Sequence, residues 1–404
     1  RDSEKCDCKS SAWFGIRGKS EMNFDFTEEQ VMLRESITRF IQEDYKFDER
    51  RRISKSSSGI DKEVWKTFAQ LGWLSIPFSE NSGGFGGGPV DVSVIMEEFG
   101  KGLVLEPYLP TVLLFGGLIN SAGNEEQCSD LLPKIIEGDL FGAFAYLERQ
   151  SRYELTDVMT KVESRSEGFI LDGEKVVVLN GPNASKLIVS ARTSGDQFDR
   201  EGISLFLVST DAEGVDRVSY QMMDGQMVSN FRFNNVSLGT NSLIGSLGEG
   251  SELIERVVRE STVAISAEAL GIMGELNRKT LEYSKTRKQF GSAIGSFQVL
   301  QHRMVDSFMA YEQVKSLLYR AVCGLAEDSD DIECIVHALK ALVGKMGKQI
   351  FGEAIQIHGG MGITDELDIG HYAKRLMMIN TTFGGEDHHQ GKFNNLRYNY
   401  RSLA

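Results

Sequence analysis

The chain has 404 residues and a mass of 44.9 kDa, enough for two or three domains, and at 41% hydrophobic and 25% charged it is neither globally disordered nor fibrous. Its 44 basic and 58 acidic side chains leave a formal charge of −14, which excludes an electrostatic nucleic-acid binder, and no apolar run reaches the roughly 18 residues of a membrane-spanning helix. Cys6, Cys8, Cys128, Cys323 and Cys334 are odd in number and scattered, so no disulfide framework is expected, and the chain reads as a cytoplasmic protein with no nucleic-acid or membrane partner.

Residues 1–21 carry mixed charge and no apolar core, so they do not read as a secretory signal. The text changes at Met22, and residues 1–21 are expected to be a non-native or disordered extension. Cys6 and Cys8 have no nearby histidine or second cysteine pair to complete four ligands, and no metal site is expected.

From Thr27 the pattern is helical. Thr27 and Gln30 have capping-box spacing, and Val31, Leu33, Ile37, Phe40 and Ile41 recur near helical period. A serine-rich loop (Ser54 to Gly59) and a short helix through Val64 and Trp65 follow. The glycine-rich stretch from Gly83 to Pro89 lacks the spacing of a phosphate cradle and reads as a bend between helices. Helices are predicted over Val92–Phe99, Thr111–Ser121 and Glu125–Ile136.

Near Phe141 the period becomes that of strands. Gly168 to Leu179 reads as a hairpin turning at Asp172-Gly173, and β-runs follow at Leu187–Ala191, Ser204–Ser209, Val215–Tyr220 and Met227–Phe233. These predict a small sandwich or barrel from Phe141 to Ile244. Ser251 then reads as the cap of a helix to about Thr286, followed by helices over Gln298–Ala326, Asp331–His358 and Ile369–Met378. Long helices without internal breaks predict an antiparallel bundle. The fold class is mostly α with a central β-domain, divided as 22–138, 139–245 and 246–404.

Two segments could carry chemistry. Between two predicted helices lie Arg287, Gln289, Phe290, Phe297 and Gln298: a charged fork suited to a pyrophosphate, two flat rings, and amides for base or ribose edges. The second, Gln356-Ile-His-Gly359-Gly360-Met-Gly362, places three glycines where main-chain N–H groups can approach an anion. Each alone is equally a helix end.

Together and in this order, with Val64-Trp65, Leu71-Gly72-Trp73, Glu97 to Lys101 and Leu132-Pro133 upstream, the chain from Met22 to about Gln390 resembles the acyl-CoA dehydrogenase family. The resemblance implies an N-terminal helical domain, a small β-domain and a C-terminal four-helix bundle. It implies FAD as cofactor, an acyl-CoA substrate, an electron-transfer acceptor protein, and a homo- or hetero-oligomer, dimer or tetramer. It also implies that Arg287, Gln289, Phe290, Phe297, Gln298, Gln356, Gly359 and Gly360 hold the adenine and pyrophosphate of an FAD seated in a neighbouring subunit.

The chain departs from the family where the flavin ring would sit. A Thr-Glu-Pro loop corresponds here to Leu147-Glu148-Arg149, and a Trp-Ile-Thr to Val177-Val178-Leu179, so hydroxyl donors and an aromatic wall are missing. The usual catalytic glutamate corresponds to Phe383, and the alternative glutamate on the first bundle helix to Ser261. The catalytic base is therefore not identified. Glu386 and Asp387 lie just beyond Phe383, and Glu260 lies one residue, about 100°, from Ser261. Phe383 is expected to close the pocket. The text around His371-Tyr372, Lys374-Arg375 and Phe383 to His389 is similar to the small subunits of pimeloyl-CoA dehydrogenases and of heteromeric bacterial enzymes acting on steroid side chains. His388 and His389 are expected at a surface or interface, and His358 as a helix-end packing residue.

Overall fold

A computed structural model describes residues 26–398. The extension before Met22, with Cys6 and Cys8, lies outside the described residues.

The first helix, α1 (Glu28–Glu43), begins as the spacing predicts: the Thr27 hydroxyl accepts from the Gln30 N–H at 3.3 Å, and the Gln30 side chain accepts from the Thr27 N–H at 3.1 Å. Then come α2 (Phe47–Ser54), α3 (Lys62–Gln70) and α4 (Pro89–Gly102). The glycine stretch before α4 is a bend. A side chain on Gly84 would stand 2.1 Å from the Phe78 carbonyl oxygen, so only glycine lets the chain double back there. The predicted helix from Thr111 is a wide π-helix (Tyr108–Gly116) continuing into α5 (Gly117–Ala122), and α6 spans Glu125–Ile136. The half is held by an aromatic knot in which Phe68 meets Trp73 and Phe99 at centroid distances of 4.9 and 5.2 Å.

Eight strands follow: β1 (Gly142–Ala145), β2 (Lys161–Arg165), β3 (Gly168–Leu179), β4 (Lys186–Arg192), β5 (Ile203–Ser209), β6 (Val215–Gln221), β7 (Met227–Leu238) and β8 (Leu243–Ile244). Their order is β6-β7-β3-β2-β4-β5-β8, with β1 parallel to β4. The predicted hairpin at Asp172-Gly173 is wrong. β3 runs straight through it, and the turn lies at residues 166–167, between β2 and β3. Gly173 does take a positive φ of 148°, but as a bulge, where a Cβ would meet Thr160 at 2.7 Å. The dipeptide's conformational freedom serves strand curvature instead of chain reversal.

The C-terminal half contains α7 (Gly250–Thr286), a short hairpin of β9 (Lys288–Gln289) and β10 (Ser292–Ala293), α8 (Gln298–Ala326), α9 (Ile332–His358), α10 (Ile369–Thr381) and α11 (Glu386–Tyr398). Ser251 does not cap α7. The helix starts one residue earlier, and the Ser251 hydroxyl donates to the Arg200 carbonyl, tying the helix to the β-domain.

A buried polar network joins the three parts. Arg375 of α10 donates to both oxygens of Glu268 on α7, at 2.5 and 2.8 Å, and to Asp224 between β6 and β7 at 2.8 Å. Arg50 of α2 donates to the Asp224 carbonyl at 2.5 Å and to Nδ1 of His371 at 3.0 Å. Each side chain is nearly solvent-free, so the charges are affordable only together. Among the described residues no helix is long and apolar enough to cross a membrane, and no group of three or more His, Cys, Asp or Glu could hold a metal ion.

Candidate functional site

The two segments singled out in the sequence meet at one end of the helical bundle. Tyr283, in the last turn of α7, stacks on His358 at the end of α9, with ring centroids 4.3 Å apart, and its hydroxyl donates to the His358 carbonyl. His358 also donates from Nδ1 to the Ala354 carbonyl at 2.7 Å, so it is a helix-end packing residue, as expected. Tyr283 positions both segments, and nothing in its sequence surroundings marked it.

Arg287, Gln289, Gln298, Gln356, Gly359 and Gly360 are all exposed, and Phe297 is half-buried. Phe290 is 94% exposed at a φ of 53°, its ring edge-on to Phe297 at 6.3 Å. A bare phenylalanine in a left-handed conformation is costly unless something else covers it. Gly359, at φ 62°, and Gly360 have no atom within 4 Å of where a Cβ would be, so a flat, anionic group can approach their backbone. The surface thus combines an exposed guanidinium, two rings and open backbone, the groups that an adenine and a pyrophosphate would need.

A separate cavity of about 300 Å³ opens between the β-domain and helices α7, α9, α10 and α11. Leu147, Val177 and Leu179 form much of its β-side wall, facing Val258, Val336 and Phe383. Phe383 stands in the wall at a φ of 61° and leaves the cavity open, against the expected closure. Val177 is also strained, at φ 52°, with its N–H donating to Asn230 at 3.0 Å. Three of the four threonines at the cavity are engaged by their own helices. Thr262 donates to the Val258 carbonyl at 2.6 Å, and Thr381 and Thr382 both donate to that of Met378 at 2.9 Å. The cavity therefore has room for part of a flavin ring but few free hydroxyls for its polar edge.

Glu148, at the retained position of the Thr-Glu-Pro loop, is structural. Its carboxylate accepts from Lys175 at 2.7 Å and from the N–H groups of Met159 and Thr160 at 2.8 and 3.1 Å. Burial would raise its pKa, but Lys175 and these donors together pull it down to about 2.

None of the three carboxylates considered as base reaches the cavity. Glu260 and Ser261 line a different cleft of about 350 Å³, on the other side of α7. Glu386 packs beside Gly344 of α9, and Asp387 is exposed in the first turn of α11. Beside Ser261, the α7 residue that faces the cavity is Thr262, one position from the sequence count, in line with Val258, Glu255 and Arg259. The carboxylates that line it are paired with bases: Glu154 with Lys392 at 3.2 Å, Glu255 with Arg200 and Glu333 with Arg259, both at 2.5 Å.

His389 is a correction, while His388 stays partly exposed. His389 is 3% exposed, not a surface residue, and His337, His388 and His389 all line the cavity. His389 reaches the Phe383 carbonyl through Nε2 at 3.0 Å and Nδ1 of His337 through its own Nδ1 at 2.8 Å. A carbonyl only accepts, so His389 carries its proton on Nε2, and its bare Nδ1 accepts from His337. Lys340 of α9 holds the same loop, donating to the carbonyls of Ile379, Asn380 and Gly384 at 2.9, 3.2 and 2.8 Å.

Three domain signatures cover the chain in this order: acyl-CoA dehydrogenase, N-terminal domain (residues 27–139), middle domain (143–236) and C-terminal domain (248–392). The probable acyl-CoA dehydrogenase YngJ of Bacillus subtilis is 28% identical over 359 residues, covering 86% of this chain and 92% of that protein. The FAD complex of PigA superposes with a TM-score of 0.86 at 26% identity, over 93% of this chain and 99% of that one. A variant of the Tcur3481-Tcur3483 steroid ACAD superposes at 0.83 and 25% identity, over 93% and 99%. The chain belongs to the acyl-CoA dehydrogenase family of oxidoreductases, flavoproteins whose cofactor is FAD.

Proposed function

We propose that the chain is one subunit of an assembly that removes two hydrogens from the α- and β-carbons of an acyl-CoA thioester, and that it works beside a homologous partner subunit. The observation that carries this reading is the separation of two half-sites. The Arg287–Gln298 and Gln356–Gly360 surface, which this reading assigns to a dinucleotide, is exposed and shares no residue with the cavity. The cavity has the ring-sized space but lacks the hydroxyls that Leu147 and Leu179 replace. An assembly in which this surface completes a neighbour's cofactor site uses both features. The two-part name of the Tcur3481-Tcur3483 steroid ACAD supports the same arrangement here.

In this reading FAD supplies the hydride acceptor. Arg287 would donate charge-assisted hydrogen bonds to its pyrophosphate, Phe290 and Phe297 would cover the adenine, and the N–H groups at Gly359 and Gly360 would be open to the phosphates. The cavity walls exclude water from the thioester. An electron-transfer protein then takes up the reducing equivalents.

Arg287→Ala is expected to weaken FAD retention about ten- to a hundredfold, the value of one or two hydrogen bonds to a charged group. Flavin absorbance after gel filtration measures it, and unchanged content would remove this segment from the cofactor site. The partner requirement has its own test. Protein expressed alone should emerge nearly colourless, because ring edges buried without partners cost about 1–3 kcal/mol each. Stoichiometric flavin in the lone chain, bleached by an acyl-CoA, would instead establish a self-sufficient homo-oligomer.

A further inference from the structure

We infer that the cleft on the other side of α7 is a binding site for a small carboxylate with an apolar body, whose acid group pairs with Arg256. The cleft, of about 350 Å³, lies between α7, the start of α4 and the passage from the π-helix into α5. It shares no residue with the cavity beside the β-domain. Its size falls within the range of small-molecule sites, roughly 300–1,000 Å³. Binding there asks nothing of FAD, so the inference stands apart from the dehydrogenase reading.

Helical spacing sorts the charges. Arg256, Val257, Glu260, Ser261 and Ala264 turn one face of α7 to the cleft, while Glu255, Val258, Arg259 and Thr262 turn the opposite face to the cavity. On the cavity face the charges are matched, Arg259 with Glu333 and Glu255 with Arg200. Arg256 is different. It is half-buried, and among the described residues no hydrogen bond or ion pair reaches it, from Glu260 one turn on or from any other group. Its Nη2 is shielded from water and meets no acceptor. Ser261, only 1% exposed on the same face, likewise has a hydroxyl without a partner. A guanidinium that has lost water without gaining a partner is destabilised by that lost hydration, and an anion relieves it. Part of the desolvation that opposes ion pairing has thus already occurred on folding. The planar fork of the guanidinium matches a carboxylate in shape.

The walls set the rest of the ligand. Phe78, Val92, Val112, Leu113, Val263 and Leu325 line the cleft and favour an aliphatic or aryl body. Inorganic phosphate would pair with Arg256 and leave these walls uncovered. A neutral alcohol would cover the walls and leave the guanidinium unpaired. A carboxylate on a short hydrocarbon chain does both. Glu260 sets the limit on affinity, because its own carboxyl shares the cleft and repels a second negative charge.

The test is calorimetric titration of the full chain, without added flavin, with hexanoate, hexanol and inorganic phosphate. In about 0.15 M NaCl, charges more than about 8 Å apart are largely screened, so only groups beside the ligand report. Hexanoate is expected to bind at least about tenfold more tightly than either of the others. Arg256→Gln should weaken hexanoate at least about tenfold, the worth of one hydrogen bond to a charged group, and leave hexanol unchanged. Glu260→Gln should tighten hexanoate a few-fold. Arg256 gives up no hydrogen bond within the described chain, so its variant should melt with the ligand-free parent, which separates lost binding from lost folding. Equal affinity for hexanoate and hexanol, hexanoate binding that survives Arg256→Gln, or no binding of hexanoate at millimolar concentration overturns the assignment. Each of these outcomes leaves the dehydrogenase reading in place.

Discussion

Arg375→Leu is expected to destabilise the protein by about 3–5 kcal/mol, the usual cost of breaking a buried ion pair from one side. Among the described residues Arg375 is the one cation that touches both Glu268 and Asp224, and its removal leaves two carboxylates in a region almost without water. Arg50 cannot take over, because its guanidinium is engaged by the Asp224 carbonyl and by His371. The loss should appear as a lower denaturant midpoint of the transition in which the helical and β-parts come apart, since the three residues sit on α10, α7 and the β6–β7 connection. Replacing all three with apolar residues (Arg375→Leu, Glu268→Leu, Asp224→Leu) should recover most of it, because the penalty comes from unpaired charge and not from lost attraction. If the single and triple variants are equally unstable, the network is held by packing and the electrostatic account fails.

That network shows where sequence reading stops. The helices and strands were legible because each buries one face, and the faces repeat at 3.6 or 2 residues; α6 and α8 span the residues read from the sequence. The short α2, with its run of charge from Asp48 to Arg52, and the polar α11 carry too little apolar pattern to be read, yet Arg50 and His389 do long-range work from them. The Asp172-Gly173 turn failed for a different reason. Asp-Gly marks a place where φ can be positive, but only the neighbouring strand, here Thr160 against Gly173, decides whether that freedom makes a turn or a bulge.

The candidate site divides in the same way. Segments in which consecutive residues carry the chemistry, such as Arg287 to Gln298, could be found in one dimension. The His337–His389 pair is separated by 52 positions, and its meaning depends on a backbone carbonyl, so no spacing rule announces it. Counting residues to a known position also has limited precision. It placed Ser261 at the cavity, where the structure places Thr262, and one residue on a helix is the difference between two cavities. Composition could show that a carboxylate was missing, but only the fold shows what stands nearby.

The second large effect is a gain. Glu106→Gln is expected to stabilise the protein at pH 8 by up to about 3 kcal/mol and to do little near pH 4.5. Glu106 is 4% exposed, just before the π-helix that walls the cavity. One of its oxygens accepts from the Asp61 N–H at 3.3 Å, and the Tyr45 hydroxyl beside the carboxyl offsets part of the burial. Burial, which disfavours the charged form, raises its pKa from 4.5 to about 7. Between those two values the native state holds a proton that the unfolded chain has released. Stability from this group is therefore fully present below about pH 4.5 and is lost as pH rises towards 7. A shift of about 2.5 units corresponds to roughly 3 kcal/mol. Glutamine keeps the shape and the acceptor but cannot ionise, so the variant should match the parent where Glu106 is protonated and exceed it where it is not. Denaturant midpoints of both proteins at pH 4.5, 6 and 8 give the comparison. A difference that does not change with pH would mean that Glu106 titrates as an ordinary carboxyl and that it finds water in solution.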